Sequence, residues 1–236
     1  APTSIKAVST KKGYGYSKNS WEGFNFSLNV GDKKSDVIAN REFLKNYFNL
    51  DEDPFVLIQQ HGNKICELPV MNEVKADAST TTLPYKVCAV LTADCLPILL
   101  TNTKGDRVAA VHAGWRGLLS GIIESSIKKF DKNDSIIAWL GPAIGPQAFE
   151  VGDEVKDIFL KKIKKSENSF VKFRENTWYA DIYSLAHLIL NNFGVDKIYG
   201  GEYCTYSDSK NFYSYRRDST TGRMASLIWI ENKNQK

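Results

Sequence analysis

The sequence predicts a mixed fold, α/β or α+β, with a sheet core covered by helices. Three observations carry this expectation. Short apolar runs of strand length end at Gly or Pro; other segments repeat apolar residues at helical spacing; and the two kinds intermix without strict alternation. The chain has 236 residues, 42% of them hydrophobic. That is enough for one large core, so a single unit over residues 1–236 is expected. No internal repeat, heptad array or low-complexity linker argues otherwise.

The elements follow in chain order. DVIANREFLKNYF, residues 36–48, spaces Val37, Phe43, Leu44, Tyr47 and Phe48 as one face of a helix. PFVLIQQHG reads as a buried strand ending at His61, with Gly62 as its stop. KVCAVLTADCLPILLTN reads as two strands broken at TADCLP, because Pro97 lacks the amide a central strand needs. A strand over 107–112 then passes through a glycine turn into a helix whose apolar stripe is Leu118, Leu119, Ile122, Ile123, Ile127 and Phe130. SIIAWLGPAIGP is a further strand. Helices are expected over 150–163 and 181–193, and VDKIYGG and MASLIWI close the chain as strands.

Composition narrows the class of partner. The net charge of +4 is too small to argue for nucleic acid, and the KKIKK run at 161–165 reads as a solvated helix end. The first residues carry no apolar stretch of signal-peptide length. No segment approaches the roughly 20 apolar residues a bilayer span requires. Four scattered cysteines (Cys66, Cys88, Cys95, Cys204) lack the density of a disulfide scaffold. A soluble, cytoplasmic, monomeric protein with reduced thiols, acting on a small molecule and not on a membrane, is the expectation.

The chain contains only three histidines, which makes their placement informative. His61, Cys95 and His112 each sit where an apolar run gives way to a Gly- or Pro-bearing turn, the position from which a rigid scaffold presents side chains to a cleft. Two imidazoles and a thiolate suit zinc with a fourth position open, although their spacing is no local zinc signature. Taken singly, each is more often structural. His187 lies inside a continuous helical pattern and is assigned to structure. Metalloprotease, nucleophile-elbow, phosphate-loop and dinucleotide motifs are missing. FYSYRRDSTTGRM, residues 212–224, places Arg216, Arg217 and Arg223 around a Thr-Thr-Gly turn that suits a phosphate or carboxylate; a hairpin with surface ion pairs is the alternative.

QQHGNKI, TADCLPILL, AVHAGWRGL, AWLGPAIGP, FEVG and FYSYRRDSTTGRMAS together resemble the YfiH-like, laccase-domain family, also called the multicopper polyphenol oxidase family. The resemblance runs over nearly the whole chain, and TADC with HAGWRG is its most specific part. It implies a four-layer α/β/β/α sandwich like that of the cytotoxic-necrotizing-factor catalytic domain. It also implies a zinc site at His61, Cys95 and His112. The activities it implies diverge: purine nucleoside phosphorolysis with methylthioadenosine phosphorolysis and adenosine deamination, polyphenol oxidation, or peptidoglycan-precursor editing.

A conventional multicopper oxidase needs about eight histidines and a separate blue-copper centre, so three histidines exclude that architecture; copper at the His-Cys-His position would be needed instead. Nucleoside chemistry suits the inventory better. Arg41, Arg116 and Arg216 are then candidates for a phosphate site, foremost Arg41 and Arg216, and Asp94 for a proton carrier. Cys95 acting as a nucleophile with His112 is the metal-free alternative. Cys204 is a candidate fourth ligand, which would make the site a closed, structural one.

Overall fold

The computed structural model describes residues 1–231. Its strands are β1 Ile5–Ser9, β2 Phe55–Val56, β3 Ile65–Glu67, β4 Ala78–Thr81, β5 Cys88–Thr92, β6 Leu96–Asn102, β7 Val108–Ala113, β8 Ile136–Leu140, β9 Glu150–Gly152, β10 Phe170–Arg174, β11 Thr177–Ala180, β12 Lys197–Gly200 and β13 Met224–Ile230. Its helices are α1 Lys34–Tyr47, α2 Trp115–Ser120, α3 Ile122–Ile127, α4 Asp153–Lys162, α5 Ile182–Asn192 and α6 Tyr215–Asp218. A four-stranded sheet runs β1-β13-β5-β2, a six-stranded sheet β12-β8-β6-β7-β4-β3, and a small antiparallel sheet β10-β11-β9.

Side-chain alternation along the strands builds the layers. On β5, Ala89 and Leu91 face Leu44 of α1 and Phe48 just past its end, while Cys88 and Val90 face the other way, toward Leu99, Val108 and Ala110 of the six-stranded sheet. On β7, Ala109, Val111 and Ala113 point outward to Leu118, Ile122, Ile123 and the apolar face of α5. The order is therefore α1, four-stranded sheet, six-stranded sheet, then the α2, α3 and α5 layer: the α/β/β/α sandwich. His112 has the parity of Val108 and Ala110, so its side chain lies on the face between the two sheets, near the end of β7.

The departures from expectation have local causes. The predicted strand into His61 is regular only at Phe55–Val56, with an isolated bridge from Ile58 to Lys75. Beyond it the amides of Gln60, His61 and Gly62 turn to the Asp77 carboxylate, not to a neighbouring strand. Pro97 does not break its strand. It stands second in β6, opposite His112, and the break falls at 93–95, where Asp94 has φ +93°. One continuous helix was expected after His112. The chain forms α2 and α3, separated by Gly121 at φ +90°, a conformation costly for any other residue. Residues 150–152 are strand β9, and the helix begins at Asp153. In place of the alternative hairpin at 212–224 stands the single turn of α6.

Candidate metal centre and substrate cavity

His61, Cys95 and His112 come from three separated stretches and meet at the end of the gap between the sheets. One donor atom of each lies within 4.8 Å of the others. The two imidazoles meet edge-on, 4.7 Å between centroids. Cys95 directly precedes β6 and His112 lies in β7, so the β6–β7 ladder brings them close. His61 arrives from the far side on a loop in which it holds φ +60° itself. Positive φ at a residue with a side chain is sparsely populated and persists only where surroundings impose it. Both His61 and Asp94, the residue before Cys95, are held this way.

Glycine makes the approach possible. A β-carbon at position 114 would stand 3.1 Å from both the Cys95 sulfur and His61 Cδ2. At Gly117 it would stand 3.3 Å from the Gly62 carbonyl. The glycines of HAGWRG thus let α2 start against the donor cluster.

Asp77, which sequence reading missed, underlies the site. It is 1% exposed, and its Oδ1 lies 2.8 Å from His112 Nδ1. With Nδ1 engaged there, His112 offers Nε2 to the cluster. Asp77 immediately precedes β4, whose Ala78 pairs with Val111, so the antiparallel register sets Asp77 opposite His112. No spacing rule reveals this: the pair is 35 residues apart.

The electrostatics favour a charged sulfur. Burial pushes the Cys95 thiol up, but the imidazoles of His112 and His61 pull it below its ordinary value, to about 6. Burial pushes His112 down, and the Cys95 charge with Asp77 raises it to about 9. Without metal, the two form a thiolate–imidazolium pair.

The donors open onto a cavity of about 570 Å³. Leu28, Val30, Val56, Ile58 and Tyr215 supply apolar wall, and Arg41 and Arg223 supply positive charge. Arg41 donates Nε and Nη2 to the Phe26 carbonyl. Arg223 donates Nη1 to the carbonyls of Thr221 and Gly222. The remaining guanidinium donors have no protein partner among the described residues.

Other sequence candidates fall outside. Arg216 does not line the cavity; its guanidinium bonds the carbonyls of Ala148 and Glu150 and lies over the Phe149 ring. Arg217 is committed to carbonyls of Thr205, Tyr206 and Phe212 and to Asp218. Arg116 is exposed and stacks on Trp115. Asp94 Oδ1 accepts from the Thr205 hydroxyl and Oδ2 from the Arg216 amide, so the carboxylate is tied into the scaffold. Cys204 is not part of the donor cluster: its sulfur accepts from the Gly145 amide. His187 lies on α5, in the outer helical layer. No helix among the described residues is long and apolar enough to cross a membrane.

This fold and donor set define a class. Residues 6–231 match the family model described as multi-copper polyphenol oxidoreductase laccase, and the chain belongs to that family. Among its relatives is a Haemophilus influenzae protein named purine nucleoside phosphorylase, 44% identical over 98% of this chain and 96% of its own. The Escherichia coli protein named purine nucleoside phosphorylase YfiH is 45% identical over 97% of this chain and 95% of its own. The crystal structure of the Neisseria meningitidis protein NMB0706 superposes with a TM-score of 0.93 at 39% identity, covering 98% of this chain and 96% of that one. YlmD from Geobacillus stearothermophilus superposes with a TM-score of 0.91 at 29% identity, covering 98% and 94%.

Proposed function

We propose that this protein is a zinc-dependent purine nucleoside phosphorylase that also cleaves methylthioadenosine and deaminates adenosine. The observation that carries the proposal is one cavity with a His-Cys-His donor cluster, apolar wall and two arginines with donors to spare. Its volume suits a nucleoside with phosphate. The names of the relatives support the substrate class.

The donor set fits zinc: two imidazoles and a thiolate are three protein ligands, with a fourth position left to water or substrate. Zinc, when bound, would supply Lewis acidity that polarises the attacked group or the attacking water. The chain's own residues do the rest. Arg41 and Arg223 hold phosphate and neutralise its charge, replacing the Arg216 of the sequence reading. Leu28, Val30, Val56, Ile58 and Tyr215 hold the nucleoside and exclude bulk water from it. Phosphate oxygen then bonds to C1′ of the sugar as the C1′–N9 bond breaks. The bonding pair leaves with the purine, which takes up the proton that the attacking hydrogen phosphate gives up and departs as free base. In deamination, water adds at C6 and ammonia leaves, with no call on the arginines.

A second reading is favoured by a specific geometry: Cys95, His112 and Asp77 line up as nucleophile, base and orienting carboxylate. A metal-held thiolate is not free to attack, so metal content separates the two. The experiment is a parallel assay of zinc-loaded, copper-loaded and metal-free protein on adenosine, inosine and a phenolic dye, with and without phosphate. Phosphate-dependent release of free base by the zinc form is expected. Zinc has no accessible redox state, so phenol oxidation should appear only with copper. A zinc form inert on every purine nucleoside, beside a copper form that oxidises phenols well, would overturn the proposal. Activity confined to the metal-free form would favour the nucleophilic cysteine.

A further inference from the structure

We propose that Asp77 is the positioning residue of the donor cluster, a single buried carboxylate that sets both imidazoles in place before any ligand arrives. The proposal rests on the metal reading for its consequence but on geometry for its substance. Asp77 Oδ1 lies 2.8 Å from His112 Nδ1 and accepts the His61 amide, also at 2.8 Å. Its Oδ2 accepts the Gly62 amide at 2.7 Å, and the Gln60 amide lies 3.1 and 3.2 Å from the two oxygens. The main chain is engaged as well, because the His112 amide donates to the Asp77 carbonyl at 2.7 Å.

Two consequences follow from those contacts. The bond to Nδ1 keeps His112 in the form that presents Nε2 to Cys95 and His61, and stops the ring from turning over. Three successive amides converging on one carboxylate bend the loop 60–62 into the turn that gives His61 its φ of +60°. Without that anchor, His61 has no reason to stay in the left-handed region, since its imidazole is on an exposed residue with little packing to hold it. Charge-assisted bonds to a buried carboxylate are strong because water cannot compete for it. The arrangement is thus a rigid platform carrying two of three donors, one through its ring and one through its backbone.

Asp77→Asn tests this at almost unchanged volume. Its amide nitrogen would bring a donor against the amide of Gly62, or, turned over, against the His61 amide and His112 Nδ1–H. Either orientation breaks the platform. The first measurement needs no metal: nitrogen-15 NMR of the imidazoles in the metal-free protein. Wild type should show a His112 Nδ1–H protected from solvent exchange, and Asp77→Asn should lose that protection. An unchanged His112 spectrum overturns the proposal, whatever the metal reading does.

The second measurement is zinc affinity by competition with a chromogenic chelator. It should fall about 10- to 100-fold in Asp77→Asn. The thiolate-to-metal absorption of the cobalt-substituted protein should persist at saturation, since all three ligands remain. Asp181→Ala is the control for general destabilisation. It removes the cap of α5, where the carboxylate accepts the Ser184 amide, and should leave zinc affinity and the His112 signal alone. Equal affinity in Asp77→Asn and wild type, or an equal fall in Asp181→Ala, overturns the positioning role. Failure of wild type to bind zinc would sink the metal reading, while the NMR arm would still decide the role of Asp77.

Discussion

At the scale of single residues, the site is a set of close approaches that tolerate little substitution. Cys95→Ala should abolish stoichiometric zinc binding as read by elemental analysis, and undiminished zinc in the variant would remove Cys95 from the ligand set. Gly114→Ala would press a methyl group against the Cys95 sulfur and the His61 ring at 3.1 Å. It should weaken zinc by roughly tenfold, the lower end for disturbances just outside the ligands, in chelator competition, with the circular dichroism spectrum unchanged. The arginines separate by function. Arg223→Ala or Arg41→Ala should lower phosphorolysis more than deamination, by about thirtyfold for a lost charge-assisted contact of roughly 2 kcal/mol. Arg216→Ala should lower both equally, because its guanidinium braces the carbonyls of Ala148 and Glu150. Steady-state rates on inosine with phosphate and on adenosine without it distinguish these outcomes. FYSYRRDSTTGRM was legible as arginine-rich, but which arginine enters the cavity was not. Both arginines of α6, Arg216 and Arg217, turn to main-chain carbonyls, and the one that lines the cavity, Arg223, lies beyond the helix, directly before β13.

At the scale of elements, strands position the chemistry and helices hold the strands. The β6–β7 ladder sets Cys95 beside His112, and the register of β4 on β7 adds Asp77. Helix α1 buries Leu44, 3% exposed, on the outer face of the four-stranded sheet, with that sheet between it and the donor cluster. Leu44→Ala should destabilise the fold by about 2–5 kcal/mol in denaturant unfolding while zinc affinity stays unchanged. Arg41 is carried by the same helix, so phosphate use should fall modestly. Most long periodic elements, α1 and α5 among them, could be read from sequence because their apolar spacing repeats over several turns. β3, β4 and the small β10-β11-β9 sheet could not. β3 and β9 have three residues and β4 is mostly polar, while β10 and β11 carry strand-forming residues over only five and four positions; each becomes a strand because a neighbour offers a ladder.

For the whole molecule, the donor cluster sits in the gap between two sheets, and its ionisation is linked to folding. In the metal-free protein the Cys95 thiol is depressed from an ordinary 9.0 to about 6. Its contribution is complete above the unfolded value and disappears as pH falls through about 6. His112 is raised from 6.5 to about 9, so its contribution is complete below the unfolded value and disappears as pH rises through about 9. Across the window from about pH 6 to pH 9 the Cys95 contribution grows while the His112 contribution fades, so the two offset and the stability of the metal-free protein should change little there. Urea unfolding across pH 5 to 10 measures this. Cys95→Ala, which removes the rising contribution and leaves His112 paired with Asp77, should instead lose stability as pH rises through the window. Zinc binding inside the window must displace the His112 Nε2 proton. Titration calorimetry in buffers of different ionisation enthalpy should then give close to one proton released per zinc.

Fold class and donor identities were available from the chain alone. Apolar periodicity is local, and a histidine or cysteine beside a Gly- or Pro-bearing turn is visible wherever it falls. His61, Cys95 and His112 could be named on that basis together with the family motifs. Their meeting could not be derived, since it depends on pairing between strands and on a loop turned by contacts far along the chain. Asp77 shows the limit most plainly. A lone aspartate in KADAST carries no signal of its own, and only its register opposite His112 gives it a partner. Arg216 shows the same limit from the other side, since nothing in its neighbours reveals that two carbonyls claim its guanidinium. Tertiary structure decided these points because buried charge is satisfied by whichever polar group the packing brings near, and sequence distance does not enter that selection.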